Sequence, residues 1–270
     1  MIRDFSGKVA VITGAASGIG RALGEEALKH GMTLYATDIE ADALQDAYQD
    51  RATCLALDVA DAAAMAALAE QVYAEQGACH LLCNNAGVMK TGWLTDYSAD
   101  DVDWMLGVNI KGVMNGIRAF VPAMKNQSAP AHVVNTGSIA GLTATPSSGL
   151  YAITKHGVVA LSETLLYEMQ MQGADVGVTV LCPGPVKTQI LNWDRYGKAD
   201  TDPAFPTDRL QSLIDAQGVT PEALAAQTFA AVEEGRFWVF TDDRFRAALD
   251  NRVQSIASGE NPAFQPAQSK

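Results

Sequence analysis

Val9-Ala10-Val11-Ile12-Thr13, running straight into Gly14-Ala15-Ala16-Ser17-Gly18-Ile19-Gly20, decides how this chain folds. The first five residues are apolar and mostly β-branched with no polar alternation, as in a strand buried on both faces of a parallel sheet. The next seven are small, and a helical pattern follows over 18–30, closed by Gly31. Small residues at such a turn let the backbone bend tightly. They also let an anion approach the free N–H groups of the helix N-terminus, where the dipole favours negative charge. Taken alone, a glycine-rich turn is equally a plain strand-to-helix connection.

Outward from this unit the same alternation repeats. Strands are predicted at 32–37, 53–57, 80–84, 131–136, 176–182 and 236–241. Helices are predicted from about 40, over 61–76, over 100–125 with a bend near Gly107 or Gly112, over 150–172, over 220–235 and over 242–258. Thr220-Pro221-Glu222 carries an N-cap followed by proline in the first turn. Strand and helix in alternation predict a doubly wound α/β fold with a mostly parallel sheet of about seven strands. No repeat or linker divides the chain, so residues 1–270 are expected to form one domain. The rhythm breaks after Pro183, where Pro, Gly and Asp are interspersed with Leu191, Trp193, Tyr196 and Phe205. Residues 189–218 are expected to form a substrate lid and 259–270 a polar tail.

The 270 residues carry a formal charge of −12, which argues against a nucleic-acid partner, since phosphate backbones are held by clustered Lys and Arg. Cys79 and Cys83 lie in an apolar stretch without a second Cys/His pair, so buried free thiols are expected and no metal site. The charged N-terminus lacks the apolar core of a signal peptide, and no run is long enough to span a bilayer. A soluble, cytoplasmic protein with no membrane association is expected.

Several residues suggest chemistry. Asp38 follows the second strand where a carboxylate would accept hydrogen bonds from an adenosine ribose, and Asp58 follows the third, near where adenine would lie. Asp58 would serve equally as a helix N-cap. Tyr151 and Lys155, four apart at the start of a predicted helix, share a face. A neighbouring ammonium favours the phenolate and would draw the tyrosine toward a working pKa. Ser138, at the end of the fifth strand, would bring a hydroxyl to the same place. A Tyr-x-x-x-Lys pair by itself is also a common surface pattern.

Together these residues resemble the short-chain dehydrogenase/reductase family, a Rossmann-like fold. The turn from Thr13 to Gly20 is similar to the family's cofactor fingerprint, Asn84-Asn85-Ala86-Gly87 to its fourth-strand motif, and Pro183-Gly184-Pro185-Val186-Lys187-Thr188 to its nicotinamide-contacting segment. Asn109, Ser138, Tyr151 and Lys155 match its catalytic tetrad in order and spacing. The resemblance implies Tyr151 as general acid/base, Ser138 as the donor orienting the substrate oxygen, Lys155 as the group that tunes Tyr151 and holds the nicotinamide ribose, and Asn109 as the anchor of a water in a proton relay. It implies cofactor contacts from Gly14, Ser17, Gly18, Ile19, Gly20, Asp38, Ile39, Asp58, Val59, Asn85, Ala86, Gly87, Tyr151, Lys155, Pro183, Gly184, Val186 and Thr188. NAD is expected rather than NADP, because Asp38 would repel a 2′-phosphate and neither Ser17 nor Ile39 supplies a cation.

The substrate is expected to be a small hydrophobic secondary alcohol or ketone. Leu191, Trp193, Tyr196 and Phe205 would form the lid, and Met89, Trp93 and Leu142 would complete the wall; the same aromatics would serve equally to anchor the loop to its own domain. No Arg or Lys is evidently placed for a carboxylate or acyl-carrier partner, Lys187, Arg195 and Lys198 being the candidates. Two other readings stand beside this one: a ketoacyl-thioester reductase of the same family, and an NAD-sensing protein without turnover, for which an intact tetrad would be superfluous. Val113, Ile117, Val121, Val158, Leu161 and Leu165, on the two long helices, suggest a homo-oligomer, a tetramer or a dimer.

Overall fold

The computed structural model describes residues 2–193 and 207–263. Its centre is a seven-stranded sheet in the order β3-β2-β1-β4-β5-β6-β7, with every neighbouring pair parallel. The strands are β1 (Val9–Thr13), β2 (Thr33–Asp38), β3 (Thr53–Ala56), β4 (Leu81–Asn84), β5 (Ala131–Thr136), β6 (Val176–Cys182) and β7 (Trp238–Phe240). Around them lie α1 (Gly18–Lys29), α2 (Ala41–Tyr48), α3 (Ala62–Gln76), α4 (Ala99–Leu106), α5 (Gly112–Met124), α6 (Gly149–Met171), α7 (Asp208–Gln217), α8 (Pro221–Glu234) and α9 (Arg246–Ser258).

β1 shows why its sequence has no polar alternation. Ala10 and Ile12 pack into a core shared with Leu23 and Ala27 of α1 and Phe229 of α8. Val9 and Val11 pack on the opposite face with Met65 and Leu68 of α3 and Phe120 of α5. Successive side chains point to opposite faces, so a strand covered by helices on both sides must be apolar throughout. The connection from β3 to β4 crosses to the far side of β1, so the chain leaves the C-terminal ends of β1 and β4 in opposite directions. Open parallel sheets place their ligand crevices at such a reversal.

Three boundaries differ from the sequence expectation. The helix predicted over 100–125 is α4 and α5 joined by a π-helical segment, Gly107–Lys111, which contains Asn109. α7 lies inside the 189–218 segment expected as a substrate lid, for which no helix was predicted. The last helix starts at Arg246 rather than near 242. Thr220 caps α8 as its sequence signals, accepting from the Ala223 N–H, with Gly235 left-handed at the other end.

Val113, Val121, Val158 and Leu165 are buried within the chain, so they offer a partner subunit no surface. The exposed large apolar residues on α5 and α6 are Met114, Ile153, Tyr167 and Met171. Cys79, Cys83 and Cys182 are buried free thiols. Among the described residues no helix is long and apolar enough to cross a membrane.

Candidate active site

A cleft of about 1930 Å³ opens at the C-terminal ends of the strands. Its floor is the turn after β1. Gly14 has a φ of +65°, and a Cβ there would stand 2.7 Å from the Ala86 Cα; a Cβ on Gly20 would stand 2.0 Å from the Gly14 carbonyl oxygen. The turn closes so tightly on the loop after β4 that only glycine fits either position. Two side chains lock the closure. Thr13 Oγ1 accepts from the N–H groups of Asn85 at 3.0 Å and Ala86 at 3.1 Å. Asn85 Nδ2 donates to the carbonyls of Thr13 at 3.1 Å and Gly14 at 3.3 Å, while its Oδ1 accepts from the Thr136 hydroxyl at 3.1 Å. The ends of β1, β4 and β5 are thereby held as one unit.

At one end of the cleft stand Asp38 and Asp58. Asp38 Oδ2 accepts from the Ala16 N–H at 3.0 Å and Oδ1 from the Glu40 N–H at 3.1 Å, so the carboxylate is fixed between the glycine turn and the start of α2. Asp58 Oδ1 accepts from the Ala60 N–H at 2.9 Å. The N-cap of α3 is Asp61, which accepts from Ala63 and Ala64. Asp58 is therefore a cleft residue rather than a cap.

At the other end Tyr151 and Lys155 project from the first turns of α6, with the Lys155 Nζ 5.5 Å from the centre of the Tyr151 ring. Nζ donates to the Thr136 carbonyl at 2.7 Å, which ties α6 to the end of β5. Burial pushes the Tyr151 phenol up to about 12, against which its hydrogen bond with Ser138 acts. Burial likewise holds the Lys155 ammonium down to about 8. Burial is the largest cause of both shifts. Asn109, in the π-helical segment, is 1% exposed and stands behind this wall. Its Oδ1 accepts from the Val88 N–H at 2.8 Å, and its Nδ2 donates to the Val88 carbonyl at 2.8 Å and to Thr154 Oγ1 at 3.0 Å.

Residues 8–197 match the short chain dehydrogenase family. The chain belongs to the short-chain dehydrogenase family. Over 97% of both chains it is 29% identical to a CLA biosynthesis dehydrogenase/reductase of Lactiplantibacillus plantarum. It is 30% identical to a C alpha-dehydrogenase of a Sphingobium strain, over 97% of this chain and 89% of that one. Among solved structures, a short-chain dehydrogenase/reductase from Burkholderia phymatum in complex with NAD superposes with a TM-score of 0.92 at 37% identity, covering 99% of this chain and 100% of that one.

In this short-chain dehydrogenase, all but two of the expected site residues line the one cleft: Gly14, Ser17, Gly18, Ile19, Asp38, Ile39, Asp58, Val59, Asn85, Ala86, Gly87, Ser138, Tyr151, Lys155, Pro183, Gly184, Val186 and Thr188. Gly20 and Asn109 stand behind its wall, the first where the turn closes and the second on Val88 and Thr154. The expected substrate wall needs correction. Met89 lines the cleft, but Trp93, Leu142, Leu191 and Trp193 do not. Trp193 is buried, and Leu191 packs behind Tyr151, Met89 and Leu150. Tyr196 and Phe205 lie outside the described residues, as do Arg195 and Lys198. The apolar wall comes instead from Trp104 and Val108 on the α4 side, Leu210, Leu213 and Ile214 on α7, and Phe245 and Ile256 at α9. Trp104 and Val108 were not singled out in the predicted 100–125 helix, and α7 was not expected at all. Beneath that wall, a buried ion pair between Lys90 and Asp101 at 2.7 Å fixes the loop after β4 to α4.

Proposed function

We propose that this short-chain dehydrogenase transfers a hydride between NAD(H) and a hydrophobic secondary alcohol or ketone. One observation carries the reading: Ser138, Tyr151 and Lys155 share a cleft with the glycine turn, and the cleft exceeds the roughly 300–1,000 Å³ of a typical drug-sized ligand site. That leaves room for a dinucleotide and a substrate together. The residues fit such a cofactor. Glycine at 14 and 20 lets its pyrophosphate approach the N-terminus of α1, held by Ser17, Gly18 and Ile19. Asp38, with Ile39 beside it, would receive the adenosine ribose, and Asp58 and Val59 would border the adenine. Arg21 is exposed and off the cleft, so no cation there would pair with a 2′-phosphate. The similar Burkholderia protein is in complex with NAD.

NAD, when bound, supplies or accepts the hydride. Tyr151 donates a proton to the ketone oxygen or takes one from the alcohol. With its pKa at about 12 it is fully protonated at neutral pH, ready for reduction. Ser138 hydrogen-bonds the same oxygen and favours the developing anion. Lys155 contributes its positive charge and, with Pro183, Gly184, Val186 and Thr188, borders the nicotinamide end. Asn109 Oδ1 and Lys155 Nζ each lie 3.5 Å from where a Cβ on Gly87 would stand, so both border the space that Gly87 leaves open, where a water would relay protons. The apolar wall from Met89 to Leu213 selects a hydrophobic substrate, with α7 acting as the lid.

The reading is tested by NADH fluorescence turnover across alcohols and ketones, in wild type and Tyr151→Phe. The variant is expected to lose at least the roughly 100- to 10,000-fold assigned to general acid–base catalysis while binding NADH normally. A variant that keeps a tenth of the wild-type rate removes Tyr151 from the mechanism. A homo-oligomer is part of the proposal, now resting on Met114, Ile153, Tyr167 and Met171. A monomeric mass by light scattering at micromolar concentration would count against it.

A further inference from the structure

Apart from Lys155, the substrate half of the cleft contains two described guanidinium groups in very different settings. Arg244 is paired with the Asp242 carboxylate at 2.8 Å. Arg252, on α9, has no carboxylate partner among the described residues. Its Nη1 donates to the Leu142 carbonyl at 2.8 Å and to the His156 imidazole. His156 Nδ1 lies 2.8 Å from the Ala152 carbonyl. A carbonyl only accepts, so Nδ1 carries the hydrogen and Nε2 presents a lone pair to Arg252. Both partners of the guanidinium are therefore neutral, and they orient it without compensating its charge.

We propose that Arg252 is an anion receptor for the substrate, and that the substrate class is a hydroxy or oxo acid: an apolar stem with a carboxylate beyond the reacting carbon. This rests on the dehydrogenase reading of the same cleft and narrows it. The donor count supports a carboxylate. Arg has five N–H donors, and the two on Nη1 are used by Leu142 and His156. The edge formed by Nε–H and one Nη2–H remains, a side-on fork that matches the two oxygens of a carboxylate. The placement supports it as well. His156 is five residues beyond Tyr151, about 7–8 Å along the α6 axis at 1.5 Å per residue, and Leu142 is four residues beyond Ser138. The guanidinium is thus anchored to both segments that supply the reacting groups, a short distance past them. Met89, Trp104, Val108 and Leu213 line the same cleft with apolar side chains. A positive charge whose hydrogen-bond partners are neutral, in a cleft with apolar side chains, favours an amphiphile with an anionic end, in a protein whose net charge of −12 otherwise repels anions.

Two measurements test this. In the first, calorimetry follows decanoate, decyl phosphate and 1-decanol binding to the enzyme–NAD complex, for wild type, Arg252→Gln and Arg252→Met. Wild type should bind decanoate at least tenfold more tightly than decanol, the range expected of a hydrogen bond to a charged group. Both variants should lose most of that preference. Equal binding of decanoate and decanol by wild type, or a preference that survives both substitutions, overturns the proposal; tighter binding of decyl phosphate than decanoate overturns the assignment to a carboxylate. In the second, the kcat/KM ratio of long-chain hydroxy acids over their methyl esters should collapse toward one in Arg252→Gln, through KM. A fall in kcat for acid and ester alike would mean Arg252 only braces α9. If Tyr151→Phe leaves turnover intact, the dehydrogenase reading fails by itself, and the decanoate titration still decides the role of Arg252.

Discussion

The Asn109 amide donates to the Thr154 hydroxyl across a 3.0 Å hydrogen bond, joining the π-helical segment to the helix that carries Tyr151 and Lys155. Thr154 in turn donates to the Tyr151 carbonyl at 2.7 Å. Together with the donation to the Val88 carbonyl, this uses both amide hydrogens of Asn109. A water held by this side chain must therefore donate to Oδ1. The π-helical turn widens the helix where the residue has to reach both Val88 and Thr154.

Asn109→Ala should accordingly damage the fold as well as turnover. It leaves the Val88 N–H and carbonyl without partners in a buried place, at about 1–3 kcal/mol for each orphaned group. A loss of about 2–5 kcal/mol in urea unfolding is expected, with Thr154→Ala costing less because it removes one link only. An Asn109→Ala protein as stable as wild type would show that the side chain does not hold the loop after β4.

Asp38 is proposed to govern the choice between NAD and NADP. Its carboxylate is held by the N–H groups of Ala16 and Glu40, so it cannot swing away from a 2′-phosphate without losing both bonds. Wild type should prefer NAD, and Asp38→Ala with Ile39→Arg should shift the preference toward NADP by removing repulsion and adding a cation. The double variant should also lose some stability, because the turn loses its tie to β2. Dissociation constants from NADH and NADPH fluorescence check this; a wild type that prefers NADPH contradicts it.

Lys155 sets a pH dependence of stability. Burial lowers its pKa from 10.5 to about 8, so over that interval the unfolded chain binds a proton that the folded chain has released. Stability contributed by this group therefore rises with pH, by up to about 1.4 kcal/mol per unit. The buried thiols act in the opposite direction but are common to wild type and Lys155→Met. The difference in unfolding free energy between the two should move in favour of wild type from pH 8 to pH 9.5 and stay flat below pH 7. A difference that is level throughout would mean Lys155 does not titrate in this range.

What was legible in the sequence follows from how local each feature is. The turn after β1, the Asn84–Gly87 segment and the Tyr151/Lys155 pair are encoded within a few residues, and their positions in the cleft follow from a parallel sheet. The bend at Gly107 and Gly112 was visible, but glycine spacing does not distinguish a kink from a π-helical turn. Asp58 carried two readings until Asp61 was seen to cap α3. α7 escaped because its apolar residues Leu210, Leu213 and Ile214 are few among polar ones and follow a long irregular stretch. Arg252 could not be found at all: its partners Leu142 and His156 are about a hundred residues away in sequence, and no spacing announces them.

The lid is tested by contrasting two residues. Trp193 was expected to close over the substrate, yet it is 7% exposed and does not line the cleft. Leu213, on α7, lines the cleft and is 38% exposed. Trp193→Ala removes a buried aromatic and should cost about 3–5 kcal/mol of stability or less if the site collapses. It should lower the melting temperature and affect large and small substrates alike. Leu213→Ala removes a smaller and less buried side chain, so its melting temperature should fall less than that of Trp193→Ala. It should instead weaken a bulky hydrophobic substrate, by up to about 1 kcal/mol, the exposed two-fifths of the ~1.5–3 kcal/mol of a fully buried leucine, and spare a small alcohol that never reaches α7. The two variants should therefore separate cleanly, one in thermal unfolding and the other in KM for large substrates. Substrate-selective loss from Trp193→Ala with an unchanged melting temperature would return the lid to the segment around Trp193 and take it away from α7.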